Sequence, residues 1–327
     1  MIEIYTSWSK GLAQSKEALR ILKKNPKISG IETFTPEKDI PLFKKAGLKV
    51  AIHNPIRLIG HDLGDDNLIS SLQKKENAYF LEEVMAGDTR TIGFHIYHEV
   101  LSLEKHALKG APLVEVDYGK SDETIRESMI KNLLFLEHEI NKSLEEKDKK
   151  RIMFETYPYA NFNKVKERKN DLTEKQLRLL ARIGMFATPE FLESVIEDKR
   201  IKDNKNIGFL FDTAHIFIAL YNLTKEGMIK EELDKCIGRV IEATKGRVFE
   251  MHICAPKKSG EVYHDFQKKL ERGEEGSEAM LKIAKMVLKS NPQLETITIE
   301  VDTFQDPVTH ATILSEQVDM VSKELKL

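Results

Sequence analysis

The chain has 327 residues, of which 41% are hydrophobic and 32% are charged, and its formal net charge is −2. Because this hydrophobic fraction is enough to fill a core, the composition excludes a disordered chain. The nearly balanced charge excludes a strong overall attraction to nucleic acid or to an anionic membrane, although local basic patches are compatible with it.

Cys236 and Cys254 are the two cysteines, which are too few for a disulfide framework and lack the CxxC spacing of a metal site. A cysteine-poor chain fits a reducing compartment. The first residues show no basic region followed by an apolar run, and no stretch approaches the roughly 18 apolar residues of a membrane span. We therefore expect a cytoplasmic protein without a membrane partner.

Short apolar, β-branched runs alternate along the chain with longer segments of helical period. This alternation is typical of the repeated strand–helix units that build a parallel sheet. Eight runs are predicted to be strands, at 2–6, 30–35, 48–54, 90–96, 150–156, 206–213, 247–254 and 295–301. Helices are predicted at 15–24, 68–85, 175–183, 231–243, 276–288 and 308–325.

Eight strand–helix pairs predict an α/β fold, a single closed (β/α)8 TIM barrel that forms one domain over residues 1–327. An open, doubly wound sheet is disfavoured because no GxGxxG motif follows the first strand. The connections over 98–149 and 157–205, after strands four and five, are longer than a minimal barrel needs, and we expect helical insertions there. Both leave the barrel on the face where active sites of this fold form.

Polar side chains that can bind metal stand at or near the ends of the third to eighth predicted strands. Taken singly, each has an alternative as a hydrogen-bonded structural group, but their joint occurrence favours one shared site. Burying such groups together is costly unless a cation compensates, and imidazole mixed with carboxylate suits zinc, manganese or iron better than calcium. The predicted ligands are His53, His95, Glu155, Asp212, His252 and Glu300, with His215 one helical turn after Asp212.

The segment after the seventh strand, Glu261 to Asp265, is expected either to return His264 to the same site or to be a charged loop without a chemical role. Asp265 and Cys254 are open as further members, and Cys254 fits better as a small buried residue. The other histidines are weaker candidates: His61 and His98 as supporting or loop residues, and His106, His138 and His310 as solvent-facing or helix-packing residues.

Four short motifs resemble the xylose isomerase-like barrel superfamily. Phe211-Asp212-Thr213-Ala214-His215 is similar to its Asp-Thr-x-His signature, and Phe154-Glu155-Thr156 to its strand-five glutamate. Glu250-Met251-His252 and Ile299-Glu300 resemble the strand-seven histidine and the final glutamate. The superfamily includes endonuclease IV-type nucleases, sugar isomerases and epimerases, and multinuclear non-haem iron oxidases.

The resemblance implies two ways of using these residues. In the single-metal isomerases, the equivalents of Glu155, Asp212, His252 and Glu300 hold the ion, and the two glutamates are catalytic because they exchange protons with adjacent carbons. In the endonuclease IV type, Glu155 would bridge two ions, with the histidines of strands three and four on one side. The additional ligands of that cluster would be His53 and His95 for one ion, and His215 and His264 for a third.

One position departs from the nuclease pattern. That pattern has Asp-x-His after strand seven, and aligning its histidine with His264 places Val262 where the aspartate stands. A basic surface for nucleic acid is also not evident, although residues such as Arg57 and the segment 164–169 contain candidate phosphate contacts.

We therefore expect a metal-dependent enzyme with two or more divalent ions, zinc or manganese before iron. The favoured reaction is phosphodiester hydrolysis of the endonuclease IV type, with a nucleic-acid substrate. The alternatives are a single-metal isomerase or epimerase of a small sugar, an iron oxidase that acts on a peptide brought by a partner, and a metal-binding barrel without activity.

Overall fold

The computed structural model describes residues 2–7, 11–33, 36–56, 61, 63–77, 79–96, 121–156, 184–259, 262–301 and 306–327. Within these ranges, the side chains of 36–38, 76, 82–83, 259, 262 and 264–267 are also outside the description.

Eight parallel strands form a closed barrel in the order β1-β10-β7-β6-β5-β4-β3-β2. This confirms the predicted fold class, because strands that are consecutive in the barrel pair in parallel with a helix after each. Each predicted strand has an observed counterpart. The strands are β1 Glu3–Ser7, β2 Ile28–Thr33, β3 Lys49–His53, β4 Thr91–His95, β5 Arg151–Glu155, β6 Ile207–Asp212, β7 Val248–Ile253 and β10 Thr296–Ile299.

Helices connect the consecutive strands of the barrel, and the first of them is amphipathic. Ser15, for example, caps the first helix by accepting a hydrogen bond from the backbone N–H of Ala18, and that helix buries Ala18, Leu19 and Leu22. The helices are α1 Lys16–Lys24, α2 Pro36–Lys45, α3 Leu68–Leu72, α4 Tyr79–Ala86, α5 Asp122–Asn141, α6 Pro189–Ile196, α7 Thr213–Lys225, α8 Leu233–Ala243, α9 Glu275–Ser290 and α10 Pro307–Leu325.

The two long connections each contain a described helix, α5 after β4 and α6 after β5. The helix predicted at 175–183 lies outside the described residues. The single helix predicted at 68–85 is instead two helices, α3 and α4. None of the described helices is long and apolar enough to cross a membrane.

A two-stranded antiparallel hairpin follows β7 and was not predicted. It consists of β8 Ala255–Ser259 and β9 Val262–Lys268. Tyr263 of β9 packs edge-on against Phe217 and Tyr221 of α7, with ring centroids 4.9 Å apart in both pairs. The hairpin is therefore attached to the helix that follows β6, next to the ends of the barrel strands.

A small apolar cluster separates the site from the rest of the barrel. Met153, Leu210 and Phe249 pack together, apart from the main core between barrel and helices. Because alternate residues of a strand face the same side, Met153 shares a face with Glu155, and Leu210 with Asp212. The cluster thus forms an apolar floor beneath the polar residues at the strand ends.

Candidate metal centre

The predicted ligands of six neighbouring strands converge at one end of the barrel. His53, His95, Glu155 and Asp212 are the last residues of β3, β4, β5 and β6. His252 is the penultimate residue of β7, and Glu300 directly follows β10. All six are buried, with at most 6% of the residue surface exposed.

His53, His95 and Glu155 form the first group. The Nε2 atoms of the two imidazoles lie 3.0 Å apart, and each is 3.1 Å from Oε2 of Glu155. The parallel register sets His95 beside Glu155, and the Asn54 side chain ties β3 to β4 by accepting the backbone N–H of His95 at 3.3 Å. Three ligand atoms of neutral or anionic groups therefore meet at one point.

His215 joins the site through the start of α7. Asp212 caps this helix, and its Oδ1 accepts the backbone N–H of His215 at 2.8 Å. The imidazole is held by the Thr156 carbonyl, 2.9 Å from Nδ1. The same Nδ1 is 3.0 Å from Oε1 of Glu155, and Nε2 is 3.4 Å from Oδ2 of Asp212. The Asp-Thr-Ala-His spacing thus brings carboxylate and imidazole to one point, as the sequence predicted.

Asp212, His252 and Glu300 form a third group. Nδ1 of His252 lies 3.4 Å from Oε1 of Glu300 and 3.9 Å from Oδ2 of Asp212. It is also 3.9 Å from Oε1 of Glu155. The three groups therefore share carboxylates: Glu155 belongs to the first and the second, and Asp212 to the second and the third.

Two buried glutamates were missed in the sequence. Glu32 on β2 lies with its Oε1 3.2 Å from Nε2 of His252, and Glu250 on β7 lies 3.6 Å from the same nitrogen. Glu32 stands one residue before the end of its strand, as His252 does in β7. Glu250 is two residues before His252 and so shares its face. The position near a strand end is the one signal in the sequence that marks Glu32.

The remaining candidate residues are either outside the described residues or not part of these ligand groups. The side chains of His264 and Asp265 and all of His98, His106, Arg57 and 164–169 are outside the described residues. Cys254 is buried and is absent from the ligand groups formed by described residues. Three histidines are remote from these groups: His61 pairs with Asp65 at 2.6 Å, His138 is exposed, and His310 packs in α10 with Nε2 2.9 Å from the Val301 carbonyl.

Burial and neighbouring charges shift the pKa values of the first group. Burial lowers the pKa of His53 and lowers that of His95 to about 4, so both imidazoles are neutral at physiological pH. Burial alone raises the pKa of Glu155, but the neighbouring imidazoles outweigh it and hold the pKa well below its usual range. Neutral imidazole and ionised carboxylate are the forms that bind metal.

In the third group, the pKa values of both His252 and Glu300 are raised. Burial lowers the pKa of His252, but the charges of Glu32 and Glu300 outweigh it and raise the pKa well above its usual range. Burial and the negative charges of Asp212, Glu32 and Glu155 raise the pKa of Glu300, against the effect of His252. The carboxylates that surround this one imidazole therefore contribute to both shifts.

The donor set fits a divalent cation. Both carboxylate oxygens of Glu155 are buried and have no hydrogen-bond partner among the described residues, although ring nitrogens lie 3.0–3.1 Å away. Ligand atoms on a tetrahedral zinc ion, each about 2.0–2.1 Å from the metal, are about 3.3–3.4 Å apart. The observed separations are close to this value, so a small shift of the side chains would accommodate an ion in place of the missing hydrogen bonds.

The closed parallel barrel carries buried imidazoles and carboxylates at the ends of its strands. No protein-family model and no curated protein matches the chain.

Many solved structures match this chain, including the following three, each aligned over nearly its whole length. A xylose isomerase-like TIM-barrel protein from Mycobacterium smegmatis in complex with magnesium has 12% identity and a TM-score of 0.56, and the match covers 99% of this chain and 96% of that one. A xylose isomerase domain-containing protein from Salmonella typhimurium has 10% identity and a TM-score of 0.55, with 99% and 97% covered. The IolI protein with a bound zinc atom has 13% identity and a TM-score of 0.50, with 99% and 98% covered.

These identities show the fold alone. The chain has the xylose isomerase-like TIM-barrel fold, and the predicted resemblance is confirmed at that level.

Proposed function

We propose that this protein is a divalent-metal-dependent phosphodiester hydrolase with a multinuclear centre. The observation that carries the proposal is the orientation of Glu155. Its Oε2 faces Nε2 of His53 and of His95, whereas its Oε1 faces His215 and, further away, His252. A carboxylate that offers one oxygen to each of two ligand groups is the typical bridge between two ions.

The chain supplies separate ligands on each side of this bridge. His53, His95 and Glu155 would hold one ion, and Glu155, Asp212, His252 and Glu300 would hold a second. A third ion would use His215 together with His264. Neutral imidazoles with carboxylates suit zinc or manganese.

Such ions would polarise a phosphate oxygen and lower the pKa of water for attack on phosphorus. The chain's own contribution is to hold the ligands in one orientation and to keep the site dry from below. The floor of Met153, Leu210 and Phe249 closes that side, so substrate approaches from the strand ends.

The first experiment is elemental analysis of protein purified without chelator, combined with turnover of bis(p-nitrophenyl) phosphate and of an oligonucleotide with an abasic site. We expect two or more zinc or manganese ions per chain and metal-dependent cleavage. His95→Gln should abolish cleavage, whereas His138→Gln, at an exposed histidine, should leave it unchanged. Iron with oxygen consumption, or one ion per chain, would contradict the proposal.

A second candidate is single-metal isomerisation or epimerisation of a sugar. The observation that favours it is that Asp212, His252 and Glu300 form a ligand group with Glu155 3.9 Å away from the same imidazole. Glu155 and Glu300 would then exchange protons with adjacent carbons of the substrate.

The two candidates differ in their need for the first group. The epimerase needs neither His53 nor His95. It would therefore be favoured over the hydrolase by three results: one ion per chain, hydrogen exchange from solvent into a ketose, and activity retained in His53→Gln.

A further inference from the structure

The carboxylate of Glu32 forms a fourth candidate ligand group with His53 and His252, on the side of those two imidazoles that faces away from Glu155. It belongs to β2, which is separated from β7 in the barrel order by β1 and β10, so its side chain reaches across the interior. Its Oε1 is 3.2 Å from Nε2 of His252 and 3.8 Å from Nδ1 of His53. The residue is 2% exposed.

His252 is contacted from both sides. Its Nδ1 faces the carboxylates of Glu300, Asp212 and Glu155, at 3.4–3.9 Å, and its Nε2 faces Glu32. A neutral imidazole donates from one nitrogen and offers the lone pair of the other. A carboxylate only accepts when ionised. An ion held by Glu300, Asp212 and Glu155 would need the lone pair of Nδ1, so an acceptor at Nε2 favours the tautomer that such an ion requires.

We propose that Glu32 is a positioning residue for the metal centre: by accepting the Nε2–H of His252, it fixes the ring orientation and leaves Nδ1 to bind the ion. This inference rests on the metal-dependent function proposed above. The 3.8 Å separation from His53 is too long for a hydrogen bond, so Glu32 acts on His53 through its charge alone.

A second carboxylate supports this arrangement from below. Oε1 of Glu250 is 3.6 Å from Nε2 of His252 and accepts the hydroxyl hydrogen of Thr298 at 3.2 Å. Because Glu250 is already engaged by Thr298 and is further from the ring, the shorter contact with Glu32 determines the direction of the His252 N–H.

The test compares Glu32→Gln, Glu32→Asp and Glu32→Ala with the wild type by zinc calorimetry on the metal-stripped protein. Gln has the same size but carries a donor as well as an acceptor, so it no longer selects one tautomer. We expect zinc affinity to fall by about 10- to 100-fold in Glu32→Gln and further in Glu32→Ala, with Glu32→Asp partly restoring it because the acceptor is retained.

Nitrogen-15 NMR of histidine-labelled, zinc-loaded protein gives a readout that a purely structural role would not change. His252 should show a protonated Nε2 in the wild type and a mixture of ring states in Glu32→Gln; its signals are identified by their loss in His252→Gln. Asp39→Asn is the matched control, because Asp39 is a buried carboxylate that accepts from Gln14 at 2.9 Å, and it should change neither readout.

The outcomes separate the two proposals. If the wild type binds neither zinc nor manganese, both the proposed function and this inference are overturned. If the wild type binds zinc but Glu32→Gln and Glu32→Ala keep its affinity and the His252 signals, only the role of Glu32 is overturned. Circular dichroism checks the folding of each variant, and Glu32→Asp supplies the comparison if the others fail to fold.

Discussion

Replacing Glu155 with glutamine would remove the proposed bridge while leaving the size of the side chain nearly unchanged. Glu155 is 1% exposed, and its two oxygens face imidazoles of three different strands or helices. Because the volume is conserved, we expect the barrel to stay folded. The loss should therefore fall on metal retention and on turnover.

The expected loss of metal affinity can be calculated from the part of the binding free energy that one ligand contributes. Structural zinc sites with four ligands contribute about 10–16 kcal/mol of binding free energy, or about 2.5–4 kcal/mol per ligand. At about 1.4 kcal/mol per tenfold change, this corresponds to roughly 100- to 1,000-fold weaker binding. Because Glu155 belongs to two ligand groups, both ions should be affected.

The assay is zinc calorimetry and elemental analysis of Glu155→Gln, with turnover of a phosphodiester measured at saturating metal. Glu137→Gln is the control: it is a glutamate of α5 that accepts hydrogen bonds from Asn141 and Asn206, away from the site. Full metal content and undiminished turnover in Glu155→Gln would refute the bridging role. If both variants failed to fold, the loss of metal and turnover in Glu155→Gln would be an effect on stability and not on a metal ligand.

Three further predictions concern packing, pH and capping. Gly93→Ala should disturb metal binding, because its Cβ would lie 2.9 Å from Nδ1 of His53, whereas Gly238→Ala meets nothing within 4 Å and should leave zinc affinity unchanged in the same titration. Asp198→Asn should lower the free energy of unfolding by about 1–3 kcal/mol, because it loses charged hydrogen bonds. The hydrogen bond from Arg200 lowers the pKa of Asp198 in the folded protein, so the unfolded chain takes up the proton first as the pH falls. Urea unfolding should therefore show the stability difference between variant and wild type shrinking below about pH 4. Asp306→Ala removes the cap that accepts from the backbone of α10 and should cost about 0.5–2 kcal/mol in thermal unfolding; an unchanged melting temperature would contradict it.

The barrel could be predicted because its signals are local. The predicted strand at 206–213, for example, contains the short apolar and aromatic run 207–211. The ends of parallel strands also meet at one face of a barrel, whichever helices connect them. For the same reason, the six strand-end ligands could be grouped without knowledge of any distance.

The features that were missed depend on contacts that are distant in sequence or on weak local signals. Glu32 stands near the end of its strand, but its partner His252 is 220 positions away, so the sequence does not show that the two are in contact. The helix predicted at 68–85 contains neither glycine nor proline, yet it ends at Leu72, where the Asn77 amide returns to the Ser71 carbonyl at 2.8 Å. The β8–β9 hairpin is short and polar, and aromatic packing of Tyr263 on α7 stabilises it.

Asp212 divides its two oxygens between two tasks. One oxygen caps α7, and the other faces the imidazoles of His215 and His252. An ion bound at this carboxylate would interact with the same side chain that caps the first turn of α7. Ion binding and fraying of the N-terminal end of α7 would therefore be linked. Slow deuterium uptake at the His215 amide would then report occupancy of the centre without a substrate.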